Sequence, residues 1–294
     1  PAGLPKARRR HTLARMNNHQ PSLAARCAAE VLGTFILLFF GLGAVHAAVT
    51  TGTYSGVLQV GLLWGIGVML AAYTVGSVSG AHLNPAITLA LSVWSDFPRR
   101  QVLPYWLAQT AGAALAAFVL HLIFSDTIAA YELKEGITRG AEKSVITASM
   151  YGEYFPNPTV AIHGPTQASY SNLGAPAAFL AEMIGTAILT LCVFALTDER
   201  SSGSPRSNLA PLFIGLAVAA IIAVIGPMTQ CCINPARDFG PRIIAYFAGW
   251  GEIAFPGPRG AVATLSVYLA APLSGALIGG WIYTKLLKGT GWPA

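Results

Sequence analysis

Two asparagines, Asn84 and Asn234, each open an Asn-Pro-Ala triplet (Asn84-Pro85-Ala86 and Asn234-Pro235-Ala236) in an otherwise strongly apolar chain of 294 residues. An asparagine amide carries two donors and an acceptor carbonyl, and Arg237, one residue past the second triplet, adds a fixed cation with five more donors. These are hydrogen-bonding and charged groups rather than nucleophiles or bases. Other reactive types cluster nearby: His82 precedes the first triplet, Cys231 and Cys232 precede the second, and two carboxylates, Glu30 and Glu182, lie in apolar runs. A carboxylate within a membrane span is a functional-site candidate by default, for instance a proton relay. No Ser/His/Asp arrangement, CxxC pair or HExxH occurs, so an enzyme reading would rest on Cys231 or Cys232 as a nucleophile with no base placed by the sequence.

The triplets belong to a duplication. Ala29-Glu30-Val31-Leu32-Gly33-Thr34-Phe35-Ile36-Leu37 aligns with Ala181-Glu182-Met183-Ile184-Gly185-Thr186-Ala187-Ile188-Leu189. Glu30 lies 54 positions before Asn84, and Glu182 lies 52 before Asn234. One unit of roughly 150 residues is used twice.

Composition sets the medium. Charged residues make up 10% of the chain, against about 25% for soluble domains, and 54% are hydrophobic. Charge-poor stretches run over 22–46, 57–77, 101–124, 176–197, 209–228 and 263–287. Each is near the ~20 residues a helix needs to cross the hydrocarbon. The expected fold is therefore an all-α membrane protein with three spans per repeat. Three is odd, so the second copy enters from the opposite side, and the halves are inverted repeats of a kind that place solute sites near the midplane.

Cations set the orientation. Lys6, Arg8, Arg9, Arg10, Arg15, Arg26, Arg99, Arg100, Arg200, Arg206, Lys285 and Lys288 flank one side, against Lys134, Arg139, Lys143, Arg237, Arg242 and Arg259 on the other. The positive-inside bias places both termini in the cytoplasm of a multi-pass protein of the cell membrane. The basic run at 6–10 reads as a juxtamembrane tail beside anionic lipid rather than a nucleic-acid patch. The first apolar segment is long enough to span and does not read as a cleaved signal peptide. The expected organisation is a basic tail over 1–21, one channel-like unit over 22–288 (repeat one to about 124, connection 125–175, repeat two from about 176) and a short tail over 289–294. Cys27 and Cys192 fall in spans and Cys231 and Cys232 are neighbours, so no disulfide framework is implied. Asn157-Pro158-Thr159 is no glycosylation acceptor, because proline fills its middle position.

The Asn-Pro-Ala segments are too short to span. Asn is a strong helix cap and Pro fits the first helical position, so each triplet predicts a half-length helix of about ten residues, one between spans 2 and 3 and one between spans 5 and 6. The non-helical backbone before each Asn must line a cavity or be buried in protein. Inversion brings the two helix N-termini together near the bilayer centre, each carrying roughly +0.5 of a charge.

These strings resemble the aquaporin superfamily, specifically its glycerol facilitators or aquaglyceroporins, over about 22–288. The resemblance rests on Ser79-Gly80-Ala81-His82-Leu83-Asn84-Pro85-Ala86 and on Asn234-Pro235-Ala236-Arg237-Asp238-Phe239-Gly240-Pro241-Arg242. It rests also on Ala248-Gly249-Trp250-Gly251, on Tyr154-Phe155-Pro156-Asn157-Pro158 in the long connection, and on Trp64. It implies six membrane helices with two re-entrant half-helices, glycerol and water as permeants, a homotetramer in the lipid bilayer, and no cofactor, metal or nucleic acid. It also implies roles. Asn84 and Asn234 would donate to a passing oxygen, and the carbonyls of Gly80, Ala81, His82, Leu83, Gln230, Cys231 and Cys232 would accept along one wall. Arg237 would be the cation of an outer constriction, and Asp238 would lend structural support. Glu30 and Glu182 would hold the re-entrant loops, a role their symmetric placement favours over a proton relay, and His82 would anchor its own loop rather than bind a metal or gate with pH.

The sequence departs from the family pattern at the constriction. Three and twelve residues before Asn234, where an aromatic and a glycine are usual, stand Cys231 and Ile222. The constriction is thus expected from Trp64, Ile222, Cys231 and Arg237, with bulk lost on one wall and gained on another. A passive channel for glycerol, small polyols and water is the leading reading. A water-selective or broader small-solute channel, admitting urea, peroxide or metalloids, and a coupled secondary transporter are the alternatives.

Overall fold

The computed structural model describes residues 21–288 apart from 55, 161–163, 165, 202 and 206. The expected basic tail up to residue 20, Arg206 and the tail 289–294 lie outside the described residues. Among those described there is no strand.

Helix α1 (Leu23–Thr51) starts at Ser22, whose hydroxyl accepts from the Ala25 N–H. It is followed by α2 (Val57–Ser79), the half-helix α3 (Pro85–Trp94) and α4 (Val102–Glu135), which extends a short turn at Arg99–Gln101. The second repeat follows the same grammar: α6 (Ala175–Thr197), α7 (Ala210–Thr229), the half-helix α8 (Pro235–Ala245), and a last span in which α9 (Gly260–Leu265) and α10 (Ala271–Trp281) are joined through wider turns. Between the repeats lies the one-turn helix α5 (Val145–Ala148). Among the described residues six helices are long and apolar enough to cross a bilayer, so the chain is an all-α, multi-pass membrane protein with two re-entrant half-helices.

Two boundaries differ from expectation. Helix α4 continues to Glu135, so the first part of the connection expected over 125–175 is helix, and α1 runs to Thr51 rather than 46. Hydropathy marks where hydrocarbon ends; a helix ends only where its backbone stops, at Gly136 (φ 60°) and Gly52 (φ 66°).

The repeats are packed by small residues where backbones must touch, the usual solution where lipid removes the hydrophobic drive between helices. At the crossing of α2 and α7, a Cβ on Gly65 would lie 2.4 Å from the Gly215 carbonyl oxygen, and a Cβ on Gly215 would lie 2.4 Å from the Gly65 carbonyl oxygen. That mutual contact lies at equivalent places in the two repeats. Equivalent crossings recur farther out: Gly112 of α4 against Val31 of α1, and Gly275 of α10 against Met183 of α6.

Candidate permeation pathway

Each half-helix is hung from a buried carboxylate. Glu30 accepts hydrogen bonds from the Ser79 hydroxyl (2.6 Å), the His82 N–H (3.0 Å), the Leu83 N–H (2.7 Å) and the Gln109 amide (2.8 Å). Glu182 accepts from the Thr229 hydroxyl (2.5 Å), the Cys232 N–H (2.9 Å) and the Ile233 N–H (2.8 Å). Both carboxylates are fully buried. They hold the orphan amides of segments 80–83 and 230–233, which cannot pair with themselves because Ala81, Leu83, Gln230, Cys231 and Ile233 all adopt positive φ. The His82 ring packs on Phe97 and Tyr105 (4.5 and 4.9 Å between centroids), and Nδ1 lies 3.2 Å from the Thr88 hydroxyl.

The half-helix N-termini meet tip to tip. Asn84 Oδ1 accepts from the Ala86 N–H at 2.8 Å, and Asn234 Oδ1 accepts from the Ala236 and Arg237 N–H groups at 3.1 and 3.4 Å. One N–H of each amide crosses between repeats, Asn84 Nδ2 donating to the Ile233 carbonyl and Asn234 Nδ2 to the Leu83 carbonyl, both at 2.8 Å. An amide has two such hydrogens, so each asparagine keeps a second donor. This alters one expectation: the Leu83 carbonyl is held by Asn234 rather than simply lining a wall.

A cavity of about 350 Å³ on the side of the 198–209 connection is lined by Gly80, Ala81, His82, Leu83, Asn84, Cys231, Cys232 and Asn234. Apolar side chains such as Val68, Leu189 and Ile214 also line it. A second cavity of about 540 Å³ opens on the opposite side, with Tyr54, Tyr131, Asn157, Thr159 and Gln230 in its wall. Trp64, Ile222 and Arg237 line both, so the two meet at these residues. The structure brings together three of the four side chains expected at the constriction, with Cys231 in the first cavity. Arg237 lies over the Trp64 indole at 4.2 Å. Ile222 rests on Gly61, whose missing Cβ would be 3.1 Å from Ile222 Cγ2. The Cys232 thiol faces the Asn234 and Tyr268 carbonyls at 3.3 and 3.7 Å.

Sequence reasoning missed the residue that pairs with Arg237. It is Glu153, buried in the connection between repeats, whose carboxylate forms an ion pair with the guanidinium. Its backbone is clamped from α8: its N–H donates to Asp238 Oδ1 at 2.6 Å, and its carbonyl accepts from Arg242. Arg242 also donates to Asp238 Oδ2 (2.8 Å) and to the Ala254 carbonyl (2.6 Å). Asp238, expected to lend structural support, therefore bonds both to the connection and to its own helix. Nothing local in Tyr151-Gly152-Glu153-Tyr154 announces the pairing, since its partner lies 84 positions away.

The profile of the family described as Major intrinsic protein matches residues 17–283. The chain belongs to the Major intrinsic protein family. Within it, the chain is 41% identical over 268 residues to the glycerol uptake facilitator protein of Haemophilus influenzae, covering 91% of this chain and 96% of that one. It is 41% identical over 266 residues to the propanediol uptake facilitator of Citrobacter freundii, covering 90% and 93%. Among solved structures, the aquaglyceroporin of Plasmodium falciparum superposes with a TM-score of 0.75 at 25% identity, covering 90% of this chain and 97% of that one. In this major intrinsic protein the paired triplets and the meeting half-helices lie beside the first of the two cavities.

Proposed function

We propose that this chain is a passive channel for glycerol, other small uncharged polyols and water, closed to protons and ions. The observation that carries the reading is a pair of cavities that share Trp64, Ile222 and Arg237, the first lined both by the re-entrant loops and by apolar side chains. A polyol entering it sheds water, and each unmet polar group costs ~1–3 kcal/mol. The carbonyls of Gly80, Ala81, His82, Gln230, Cys231 and Cys232 replace the lost acceptors, the Leu83 carbonyl adds its second lone pair, and the free amide hydrogens of Asn84 and Asn234 donate at the centre. The carbon skeleton slides along the apolar side chains. Names carried by the relatives, glycerol and propanediol uptake facilitators, agree with this amphipathic preference.

Cations are repelled by the two helix N-termini and by Arg237, whose charge the Glu153 carboxylate partly offsets, while donors from both asparagines hold a central water by its oxygen and interrupt proton relay. Glu30 and Glu182, the carboxylates a proton-coupled carrier would use, spend their oxygens on loop amides and hydroxyls, which supports the channel over the coupled transporter. The cation bias supports cytoplasmic termini in the cell membrane, and residues 22–288 act as one channel unit, assembled as a homotetramer as the resemblance implies. The test is stopped-flow light scattering on proteoliposomes with and without an imposed proton gradient. Glycerol permeability independent of the gradient is expected; uptake that requires it would overturn the reading.

A further inference from the structure

The two re-entrant loops obey a twofold relation residue by residue: Ser79 matches Thr229 and His82 and Leu83 match Cys232 and Ile233 in their bonds to Glu30 and Glu182. At the helix C-cap the relation breaks. Repeat one has Gly80 at φ 86°, and repeat two has Gln230 at φ 63°. A left-handed backbone is strained for any side chain but glycine's, so Gln230 needs a compensating reason. The structure gives it one: Gln230 Oε1 accepts from the Tyr154 N–H at 2.8 Å, and Nε2 donates to the Ser149 carbonyl at 3.1 Å. The other polar departures of repeat two reach the same segment. Arg237, Asp238 and Arg242, where repeat one has Ile87, Thr88 and Ser92, contact the carboxylate, N–H and carbonyl of Glu153. Gly152 completes the fit, since a Cβ there would lie 2.6 Å from Arg242 Cγ.

The geometry points to Gln230 as a positioning residue of the constriction: by gripping Ser149 and Tyr154 it fixes Glu153 against Arg237, and the guanidinium so held, which lines both cavities, limits the size of polyol admitted. This deepens the channel reading and rests on it. Gln230 itself touches the wider cavity but acts through Glu153 and Arg237. Releasing the grip loosens Glu153 on Arg237, although Asp238 and Arg242 still hold its backbone, and a guanidinium less firmly held widens the meeting point of the two cavities.

The test uses full-length protein in proteoliposomes, with glycerol and the four-carbon polyol erythritol as probes. Gln230→Gly keeps the backbone conformation without strain, which offsets part of the cost of the two lost hydrogen bonds, so a thermal transition close to the parent's accompanies the flux measurement. The erythritol-to-glycerol permeability ratio is expected to rise on the order of threefold or more, the scale of coupling between residues that share a space. Glu153→Gln is expected to raise the same ratio, and Gln230→Gly added to it to change nothing further. A second variant, Gln230→Met, keeps the bulk and loses both hydrogen bonds; it should match Gln230→Gly. If Gln230→Gly and Gln230→Met conduct with the parent's ratio, or if the Gln230 and Glu153 effects add, Gln230 is a local structural residue and the inference fails. If the parent passes neither glycerol nor water, it is the channel reading that fails instead.

Discussion

Gly65→Ala is a one-carbon perturbation whose consequence can be worked through the fold. The added Cβ would meet the Gly215 carbonyl oxygen at 2.4 Å. Ordinary non-bonded contact lies near 3.5 Å, so α2 and α7 must separate by about 1 Å there. Neither partner can yield alone, because the obstructing atom is backbone. Overpacking of this kind costs ~1–3 kcal/mol, which should lower the thermal transition in detergent by several degrees. Trp64 adjoins Gly65, and Ile222 lies two turns along from Gly215, so the separation reaches the place where the two cavities meet. Permeability to erythritol relative to glycerol should therefore rise with the loss of stability. Gly215→Ala should behave alike. The double substitution should cost less than the sum, since one displacement relieves both clashes. Gly43→Ala is the control, its Cβ meeting only Leu120 Cδ2 at an ordinary 3.5 Å. A Gly65→Ala protein as stable and as selective as Gly43→Ala, or strictly additive costs in the double variant, would refute the mutual backbone contact.

Further expectations concern the lumen. A mercurial should block both water and glycerol by binding the Cys231 thiol, leaving Cys231→Ser conducting and insensitive; Cys231→Phe should cut glycerol flux more than water flux, and adding Ile222→Gly should restore it, whereas independent effects on the ratio would remove these two residues from a shared wall. Arg237→Val should keep some solute flux while admitting protons or small cations, read as current under voltage clamp at acidic pH; a conducting variant with no current would leave exclusion to the half-helix dipoles alone. Glu182→Gln sets an amide N–H₂ against donors that now bind a carboxylate oxygen, a loss of ~2–4 kcal/mol. It should lower the thermal transition and the flux of glycerol and water together, and unchanged stability would contradict the supporting role.

Sequence alone was most informative where a motif carries its own local physics. Asn84 and Asn234 cap helices because Asn-Pro does so anywhere, and their pairing at inverted positions required them to meet. For Glu30 and Glu182 duplication suggested only a structural role, one per repeat; that they would hold the loops came from the family resemblance, and their bonds to the loop amides are seen only in the fold. What stayed hidden depends on contacts far apart in the chain. Glu153 lies in a connection without periodicity, and only folding brings it to Arg237. Gln230 reads as an ordinary polar residue until its φ of 63° and its two bonds to the connection are known. The reach of α4 to Glu135 escaped a reading based on apolar runs, because its last turns carry Asp126, Glu132, Lys134 and Glu135 and are held partly by the Glu132–Arg139 ion pair at 2.8 Å rather than by hydrocarbon.

Tracer exchange tests the central claim most directly, because a continuous lumen and an alternating-access carrier differ in how flux responds to solute on the far side. Proteoliposomes loaded with unlabelled glycerol and diluted into labelled glycerol should fill to equilibrium without overshoot, at an initial rate proportional to concentration and unaffected by the internal load. A transient accumulation of label above equilibrium, driven by the outward gradient of unlabelled glycerol, would contradict a pathway open from both sides through Trp64, Ile222 and Arg237.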